Sequence, residues 1–153
     1  MVNICIEITS TRDIIRHRSF SFQEFSQGYA EANLGFTIRE TRLQDNVKRQ
    51  NRFECNDEKL MNEWKTRQES IIESIAENYH WALKNGIAKE QCRCILPEGM
   101  IISHIYMNGN LRSWIRYLQI RLKWDTQKEH REVALACFEE IKKIFPLIEK
   151  IIE

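Results

Sequence analysis

Apolar residues recur at every second position at the start of the chain, in the stretch VNICIEIT: Val2, Ile4, Ile6 and Ile8. This period of two predicts a half-buried strand over residues 2–9. Because the strand begins almost at the first residue, we expect it to lie inside a larger sheet. The Ile-rich stretch GMIISHIYMN predicts a second strand over residues 99–108, and a short strand is expected near Phe36–Leu43.

From Asp57 onward the apolar residues recur with a period near 3.6, which is typical of an amphipathic helix. The stripe consists of Leu60, Trp64, Ile71, Ile75, Tyr79 and Leu83. Asp57 is a good N-cap residue and Gly86 suits the C′ position, so one helix of about 28 residues is predicted between them. A shorter helix over about residues 87–95 is expected to end before Pro97.

Two further helices are predicted in the last third of the chain. The segment NLRSWIRYLQIRL places five apolar side chains on one helix face: Leu111, Trp114, Ile115, Leu118 and Leu122. A last helix is predicted to start at Thr126, where TQKE has the form of a capping box, and Pro146 kinks or interrupts it. The pattern therefore predicts a single helix-rich α+β domain over residues 1–153, with few strands.

Composition and charge describe an ordinary globular chain of 153 residues, with 42% hydrophobic residues and a net charge of +1. Without a global positive field we expect no nucleic-acid partner, and any anion site must be local. No apolar run is long enough to span a membrane and no signal peptide is visible, so a cytoplasmic protein without membrane contact is expected. The cysteines are expected to be reduced, Cys92 and Cys94 as buried thiols, and the histidine spacing predicts no metal site.

The most informative local stretch is RHRSFSFQEFSQGY, residues 16–29. Arg16 and Arg18 offer planar donor forks that match phosphate or carboxylate, and three serines add hydroxyl donors. Glu24 is an acceptor, and the aromatic residues provide apolar walls, which is the combination that a nucleotide pocket requires. The same composition also fits a solvated basic loop over the edge of a Phe-rich core, so the residues alone leave both interpretations open.

Arginines flank the apolar stripe of the helix over residues 110–122. Arg112 and Arg121 lie about half a turn apart, so one pocket on one helix face would not easily use both. They could serve two halves of an elongated ligand or sites shared between subunits, or they could lie along the stripe with their charges in water. Arg93, on the short helix, can likewise be a surface charge.

These segments together resemble the flavin-dependent thymidylate synthases, also called thymidylate synthase complementing proteins. The family signature R-H-R-x-x-S-x-N-E-x-S-x-R-Y is matched in type and place at Arg16, His17, Arg18, Ser21, Glu24, Ser26 and Tyr29, with Gln23 in place of Asn. RCILP at residues 93–97 and NLRS at residues 110–113 follow in the family's order, as do Arg121, Gln127 and Glu129.

The resemblance implies a fold with a small antiparallel sheet and a homotetramer whose sites draw on several subunits. It implies the synthesis of dTMP from dUMP, with methylenetetrahydrofolate as one-carbon donor and FAD, reduced by NADPH, as hydride carrier. By the same resemblance, FAD would be bound by Arg16, His17, Arg18, Glu24, Asn110, Leu111, Arg112 and Arg116. The substrate dUMP would be bound by Arg16, Glu24, Phe25, Ser26, Gln27, Gly28, Arg93 and Arg121.

The role closest to catalysis falls on Arg121. In the family a cation beside N3 of the uracil stabilises negative charge on the ring, which raises the nucleophilicity of C5. No protein nucleophile is then needed, which agrees with the absence of an activated Cys or Ser dyad from the sequence. In a tetramer, Arg112 and Arg121 of one helix could reach different ligands.

Three features depart from the family pattern. The last Arg of the signature, which binds dUMP in the family, is Gly28 here, and Asp13 stands where family members carry Gln. We also expect this chain to lack a further N-terminal segment that completes the sheet and contacts the flavin in relatives. Two alternatives to a working synthase follow: a non-catalytic remnant or nucleotide- and flavin-binding module of the same fold, and a relative acting on another uridine nucleotide.

Overall fold

The structure, a computed structural model, describes residues 1–8, 14–24, 35–48 and 52–152. The strands are β1 (Val2–Ile8), β2 (Ser21–Glu24), β3 (Arg42–Gln44), β4 (Arg52–Glu54) and β5 (Ser103–Gly109). The helices are α1 (Glu58–Lys84), α2 (Lys89–Cys92), α3 (Leu111–Arg121), α4 (Lys128–Ile144) and α5 (Glu149–Ile152), with 3-10 turns at Arg93–Ile95 and Pro146–Ile148. Contacts divide the chain into two compact units, Met1–Phe25 with Ser103–Glu153, and Ser26–Ile102.

A three-stranded antiparallel sheet forms the first unit, in the order β1-β5-β2. Along β5 the residues alternate between buried and more exposed, as a period of two requires. The strands predicted over residues 2–9 and 99–108 are confirmed, although β5 begins at Ser103. The expectation that the first strand lies inside the sheet is wrong for the described residues, because β5 takes the central position and β1 lies at an edge.

Helices α3 and α4 supply the other half of the first unit's core. Its buried members are Ile6, Ile14, Phe20, Ile105, Met107, Trp114, Tyr117, Leu118, Ala134, Cys137, Ile141 and Ile148. The indole of Trp114 is fully buried, and its Nε1 donates a hydrogen bond to the carbonyl oxygen of Val2 at 3.2 Å. This bond fixes α3 to the edge strand, because a buried indole N–H needs an acceptor. The small antiparallel sheet and the helix-rich α+β class are therefore confirmed.

The last long helix starts later than its sequence predicts. Helix α4 begins at Lys128, with Gln127 as its N-cap, so the start predicted at Thr126 is two residues early. Thr126 is buried, and its hydroxyl donates to the carbonyl oxygen of Ile120 at 3.3 Å, which ties it to the end of α3. The predicted interruption at Pro146 is confirmed, because α4 ends at Ile144 and a 3-10 turn over Pro146–Ile148 follows.

The second unit is organised by α1, whose predicted ends are both confirmed. Asp57 accepts a hydrogen bond from the backbone N–H of Leu60 at 3.1 Å, and Gly86 follows the C-cap with φ of 75°. The side chain of Gln68, on the same helix, is buried and pairs with the backbone of Arg39 through two hydrogen bonds of 2.7 and 2.9 Å. These bonds attach the segment that precedes β3 to the helix.

The core of the second unit is smaller. It contains Tyr79, Ala82, Cys92 and Ile101, with Phe36, Leu83 and Leu96 packed against it. Toward the N-terminal end of α1, Leu60, Trp64 and Ile71 are 41–47% exposed, so only the C-terminal part of the predicted stripe is buried. The strand expected near Phe36–Leu43 is present as a bridge between Phe36 and Ile101 and as β3.

The five cysteines are free thiols, as expected, but only one of the neighbouring pair is buried: Cys92 is buried and Cys94 is exposed. The short helix that carries them is α2 with the 3-10 turn after it, and it ends before Pro97 as predicted. Among the described helices, none is long and apolar enough to cross a membrane. Within the same residues, no group of three or more His, Cys, Asp or Glu side chains could hold a metal ion.

We predict that Gly109→Ala destabilises the protein. A Cβ at this position would lie 2.5 Å from Cδ1 and 2.6 Å from Cε1 of the Phe20 ring, which is buried and cannot retreat easily. Forced repacking of this kind lowers the free energy of unfolding by about 1–3 kcal/mol. Urea unfolding measures the loss, and Gly99→Ala, where a Cβ meets nothing within 4 Å, should stay within about 0.5 kcal/mol of the parent protein. Equal effects of the two substitutions would contradict the Phe20 contact.

Candidate active site

The basic triplet lies in a pair of consecutive turns between β1 and β2. The backbone N–H of His17 donates to Ile14, and that of Phe20 donates to His17, each at 3.1 Å. Ile14 and Phe20 are buried at the two ends of the segment, whereas Arg16 and Arg18 are exposed and His17 is half-buried between them. The turns therefore present two guanidinium groups to solvent and one imidazole to the protein.

The segment from His17 to Phe20 lies along α3. The Phe20 ring packs edge-on against Trp114, near the start of the helix, with ring centroids 4.9 Å apart. The His17 ring packs edge-on against Tyr117 at 5.1 Å, and its Nε2 accepts a hydrogen bond of 3.0 Å from Nε of Arg121 at the helix end. Residues 104 positions apart in the sequence are thus in direct contact.

The electrostatics of this contact require a neutral His17. Burial and the adjacent Arg121 guanidinium both lower the pKa of His17 below its ordinary value. Because an arginine Nε–H can only donate, Nε2 of His17 must be the acceptor and Nδ1 must carry the proton. Behind it, Tyr117 and His130 are hydrogen-bonded at 3.1 Å, and burial raises the pKa of Tyr117, so the phenol stays protonated.

Arg121 is the last residue of α3 and is half-buried. Its Nε is engaged by His17, and its two terminal nitrogens have no polar partner within the part of the chain that the structure describes. A guanidinium edge of this kind offers two parallel donors to a planar acceptor. The residue predicted to be closest to catalysis is therefore held at one edge and available at the other.

Four of the predicted cofactor-binding residues are exposed arginines. Arg16 and Arg18 lie on the turns, while Arg112 and Arg116, one helical turn apart, share a face of α3. Across residues 1–8, 14–24, 35–48 and 52–152, no hydrogen bond or ion pair holds any of the four. Unpaired cations concentrated in one unit are available to an anionic ligand.

Arg112 and Arg121 both lie on α3, so their spacing places them on opposite sides of this helix. Nine residues of helix rotate the direction of the side chain by about 180° and separate the two positions by about 14 Å along the axis. Arg112 is exposed and Arg121 is half-buried. One phosphate could therefore not bridge them.

The start of α3 has a structural as well as a candidate binding role. Asn110 is the N-cap, and its Oδ1 accepts hydrogen bonds from the backbone N–H and the hydroxyl of Ser113, at 2.8 and 3.0 Å. Leu111, also predicted to contact the cofactor, is half-buried and packs against the core of the first unit. The segment NLRS is thus a helix start that presents Arg112 to solvent.

Glu24 is the last residue of β2, and one of its oxygens accepts a 2.9 Å hydrogen bond from the hydroxyl of Ser103. Ser103 is buried at the start of β5. The predicted acceptor is therefore oriented by a neighbouring strand. Of the remaining predicted residues, Arg93 is exposed in the second unit, and Phe25, Ser26, Gln27 and Gly28 lie outside the described residues, as do Asp13 and Tyr29.

Four residues that hold this region together were not predicted from the sequence as parts of the site: Ser103, Gly109, Tyr117 and His130. Tyr117 precedes Arg121 by one helical turn, and that spacing could have indicated it. His130 and Ser103 carry no comparable signal, because their partners are distant in the sequence. Gly109 is the last residue of a strand, and the need for a glycine there follows only from the packing of the Phe20 ring against it.

Known proteins of one family are similar to this chain over nearly its whole length. A model of the family described as thymidylate synthase complementing protein matches residues 1–147. The flavin-dependent thymidylate synthase of Synechocystis sp. is 43% identical, and the match covers 100% of this chain and 72% of that protein. The probable flavin-dependent thymidylate synthase of Paramecium bursaria Chlorella virus 1 is 41% identical, with 97% and 70% covered.

A solved structure has the same fold. The UMP/dUMP methylase PolB from Streptomyces cacaoi, bound with 5-Br UMP, superposes with a TM-score of 0.83. The match covers 97% of this chain and 71% of that one, at 23% identity. At this identity the likeness concerns the fold alone.

We predict that Asn110→Ala lowers the free energy of unfolding by about 0.5–2 kcal/mol, because the first turn of α3 loses its side-chain cap. Asn110→Asp keeps an acceptor oxygen at the cap and places a negative charge at the helix N-terminus, where it is favourable, so stability should be retained. Urea unfolding at neutral pH compares the two. A loss of stability in both variants alike would show that the cap is not what Asn110 contributes.

We also predict an acid-side loss of stability caused by His17. Because folding lowers the pKa of His17, the unfolded chain binds more protons than the folded chain between the folded pKa and the ordinary value of 6.5. The contribution of His17 therefore falls as the pH drops through 6.5 toward the folded pKa, and is constant at pH values well above 6.5.

The matched variant is His17→Gln, which cannot titrate. The free energy of unfolding of the parent should fall relative to this variant as the pH is lowered below 6.5. Urea unfolding at a series of pH values measures this difference, and His80→Gln, at an exposed position of α1, serves as the control. Parallel curves for the parent and His17→Gln would contradict the lowered pKa.

Proposed function

Because the chain belongs to the thymidylate synthase complementing protein family, we propose that it is a flavin-dependent thymidylate synthase that converts dUMP to dTMP. The relatives that match nearly the whole chain carry this name, so a non-catalytic remnant of the fold is not favoured. The proposed enzyme transfers a one-carbon unit to C5 of the uracil ring. Its site residues are the ones predicted from the family signature and from the segments that follow it.

The observation that carries this proposal is the placement of Arg121. A residue of the signature, His17, accepts from its Nε at 3.0 Å, and the two terminal nitrogens remain available within the described part of the chain. His17 of the signature is therefore in direct contact with Arg121, although the two residues are distant in the sequence. This arrangement is expected if that cation acts on the substrate that the signature binds.

Arg121 would perform the electrostatic part of the reaction. Its terminal N–H groups would donate to the uracil at N3 and the adjoining carbonyl oxygen, which stabilises negative charge on the ring and raises the nucleophilicity of C5. Partial burial strengthens this effect, because a charge interaction grows as the surrounding dielectric constant falls. No residue of the chain needs to attack the ring.

The thiol of Cys137, in the core of the first unit, is not available as a nucleophile. Cys137 is buried in the core, and burial raises its pKa to about 12, so this thiol remains protonated at neutral pH. A cysteine nucleophile requires the thiolate form and access to substrate. Cys137 has neither.

The unpaired cations suit FAD. Arg16 and Arg18 on the turns and Arg112 and Arg116 on α3 would neutralise the pyrophosphate, and His17, Asn110 and Leu111, which neighbour these arginines in the sequence, would bind the cofactor as well. When bound, FAD reduced by NADPH would supply the hydride, and methylenetetrahydrofolate would supply the one-carbon unit. Glu24, held by Ser103, would accept hydrogen bonds from both the cofactor and dUMP.

The remaining substrate contacts are proposed from the family signature. Arg93 would bind dUMP, as would the segment Phe25–Gly28, in which Gly28 replaces a family Arg. We propose a cytoplasmic homotetramer whose sites share residues, which would let Arg112 and Arg121 of one helix serve different ligands.

The proposal predicts that the protein, given FAD, NADPH and methylenetetrahydrofolate, releases tritium from 5-tritiated dUMP. Arg121→Ala should lower the rate by about 10²–10³-fold, the range found for removing one donor that stabilises a developing anion. Arg121→Lys keeps the charge but not the planar fork, so its loss should be smaller.

The control variant is Arg67→Ala, which removes an exposed arginine of α1 that pairs with Glu63. It should retain the parent rate. Flavin absorbance after gel filtration, measured on every variant, separates loss of cofactor from loss of the chemical step. A parent protein that retains flavin but releases no tritium would overturn the proposed activity.

A further inference from the structure

The guanidinium of Arg121 has one side bonded to His17 and another side that is available to a ligand. Nε of Arg121 is used by the imidazole, which leaves the end of the guanidinium, with its two terminal nitrogens, for a ligand. We infer that His17, as a neutral imidazole, is the positioning residue that sets the orientation of Arg121. Only the identity of the ligand that Arg121 meets rests on the proposed function.

The imidazole is itself fixed, which a positioning residue requires. Its ring is edge-on to Tyr117 at 5.1 Å and to His130 at 6.1 Å, with interplanar angles of 82° and 89°. Its backbone N–H is bonded to Ile14, and Phe20 is buried three residues later. The ring therefore lies between α3, α4 and its own turn, with little freedom to rotate.

Among the described residues, the permanently charged groups around His17 are arginines, which oppose its protonation. Tyr117 and Arg121 face it from α3 and His130 from α4, while Arg16 and Arg18 flank it on its own segment. Among the described residues, no carboxylate forms an ion pair with His17. A second proton would remove the acceptor lone pair of Nε2 and place a positive charge 3.0 Å from the Arg121 nitrogen.

Arg121 is consequently held only while His17 is neutral. Burial and the Arg121 charge keep the pKa of His17 low, so the contact is complete at neutral pH. As the pH falls through the pKa of His17, the hydrogen bond becomes repulsive and Arg121 is released. Any function of Arg121 should therefore decline at low pH along the titration curve of His17, since a guanidinium does not titrate in this range.

The test follows side-chain nitrogens by NMR in the full ¹⁵N-labelled chain, without any ligand. The signals of His17 and of the Arg121 Nε–H group are assigned from their loss in His17→Gln and Arg121→Lys. We expect His17 to carry its proton on Nδ1 at pH 7 and to titrate below 6.5. We expect the Arg121 Nε–H shift to follow the same curve in the parent and in the control His80→Gln.

Two variants separate positioning from general stability. His17→Gln retains a neutral acceptor, so at pH 7 the affinity for dUMP should fall less than in His17→Leu, and the rise of the dissociation constant at acid pH should disappear. His17→Leu removes the acceptor, and affinity should fall about tenfold or more, as expected when a charged donor loses its partner. The control His80→Gln should keep both the affinity and its pH dependence.

The inference is overturned if the NMR shift of the Arg121 Nε–H group does not change as His17 titrates, or if Nε2 of His17 is protonated at pH 7. It is also overturned if His17→Gln and His17→Leu impair binding equally while both remain folded. If the signals of His17 and of the Arg121 Nε–H group follow the same titration curve but dUMP does not bind, the positioning role is supported and the proposed substrate is wrong. The NMR result and the binding result thus test the two proposals separately.

Discussion

The ring of Phe20 lies against the backbone of Gly109, a contact that leaves no room for a side chain on the strand. β5 ends at that glycine and α3 begins two residues later. The contact therefore sets the position of the start of α3 relative to the turns that carry the basic triplet. The same segment then runs along α3 until His17 reaches Arg121. The surface that we propose for catalysis depends on this close approach, because a displaced turn would separate the imidazole from the guanidinium.

Charge is distributed unevenly in a chain whose total charge is only +1. Many acidic residues are paired with lysines or arginines elsewhere, as in the contacts Arg67–Glu63, Lys142–Glu149 and Lys143–Glu140. The arginines of the triplet and of the exposed face of α3 have no such partners in the described residues. Unpaired like charges do not stabilise the isolated fold, but they provide a local positive field that an anionic cofactor or nucleotide would neutralise. Behind them, Tyr117 and His130 are hydrogen-bonded at 3.1 Å, which ties α3 to α4.

Much of the fold could be predicted from the period of the apolar residues. The long helix has Asp57 and Gly86 at the expected ends, because capping is a local interaction between neighbours in the sequence. The predictions that were wrong concern non-local choices. The edge position of β1 depends on β5, which is far along the chain, and the late start of α4 accompanies a bond between Thr126 and Ile120. The exposure of Cys94 likewise depends on what packs around a 3-10 turn.

The sequence by itself determined which residues could carry the chemistry, because the signature and the segments after it specify residue types at set spacings, and these identify the family. It also determined that Arg112 and Arg121 lie on opposite sides of one helix, since rotation along a helix follows from residue number alone. Only the tertiary structure decided that His17 is the partner of Arg121 and that Ser103 orients Glu24. Those contacts join residues 104 and 79 positions apart, and packing of the sheet and helices, which no local pattern encodes, brings them within hydrogen-bonding distance.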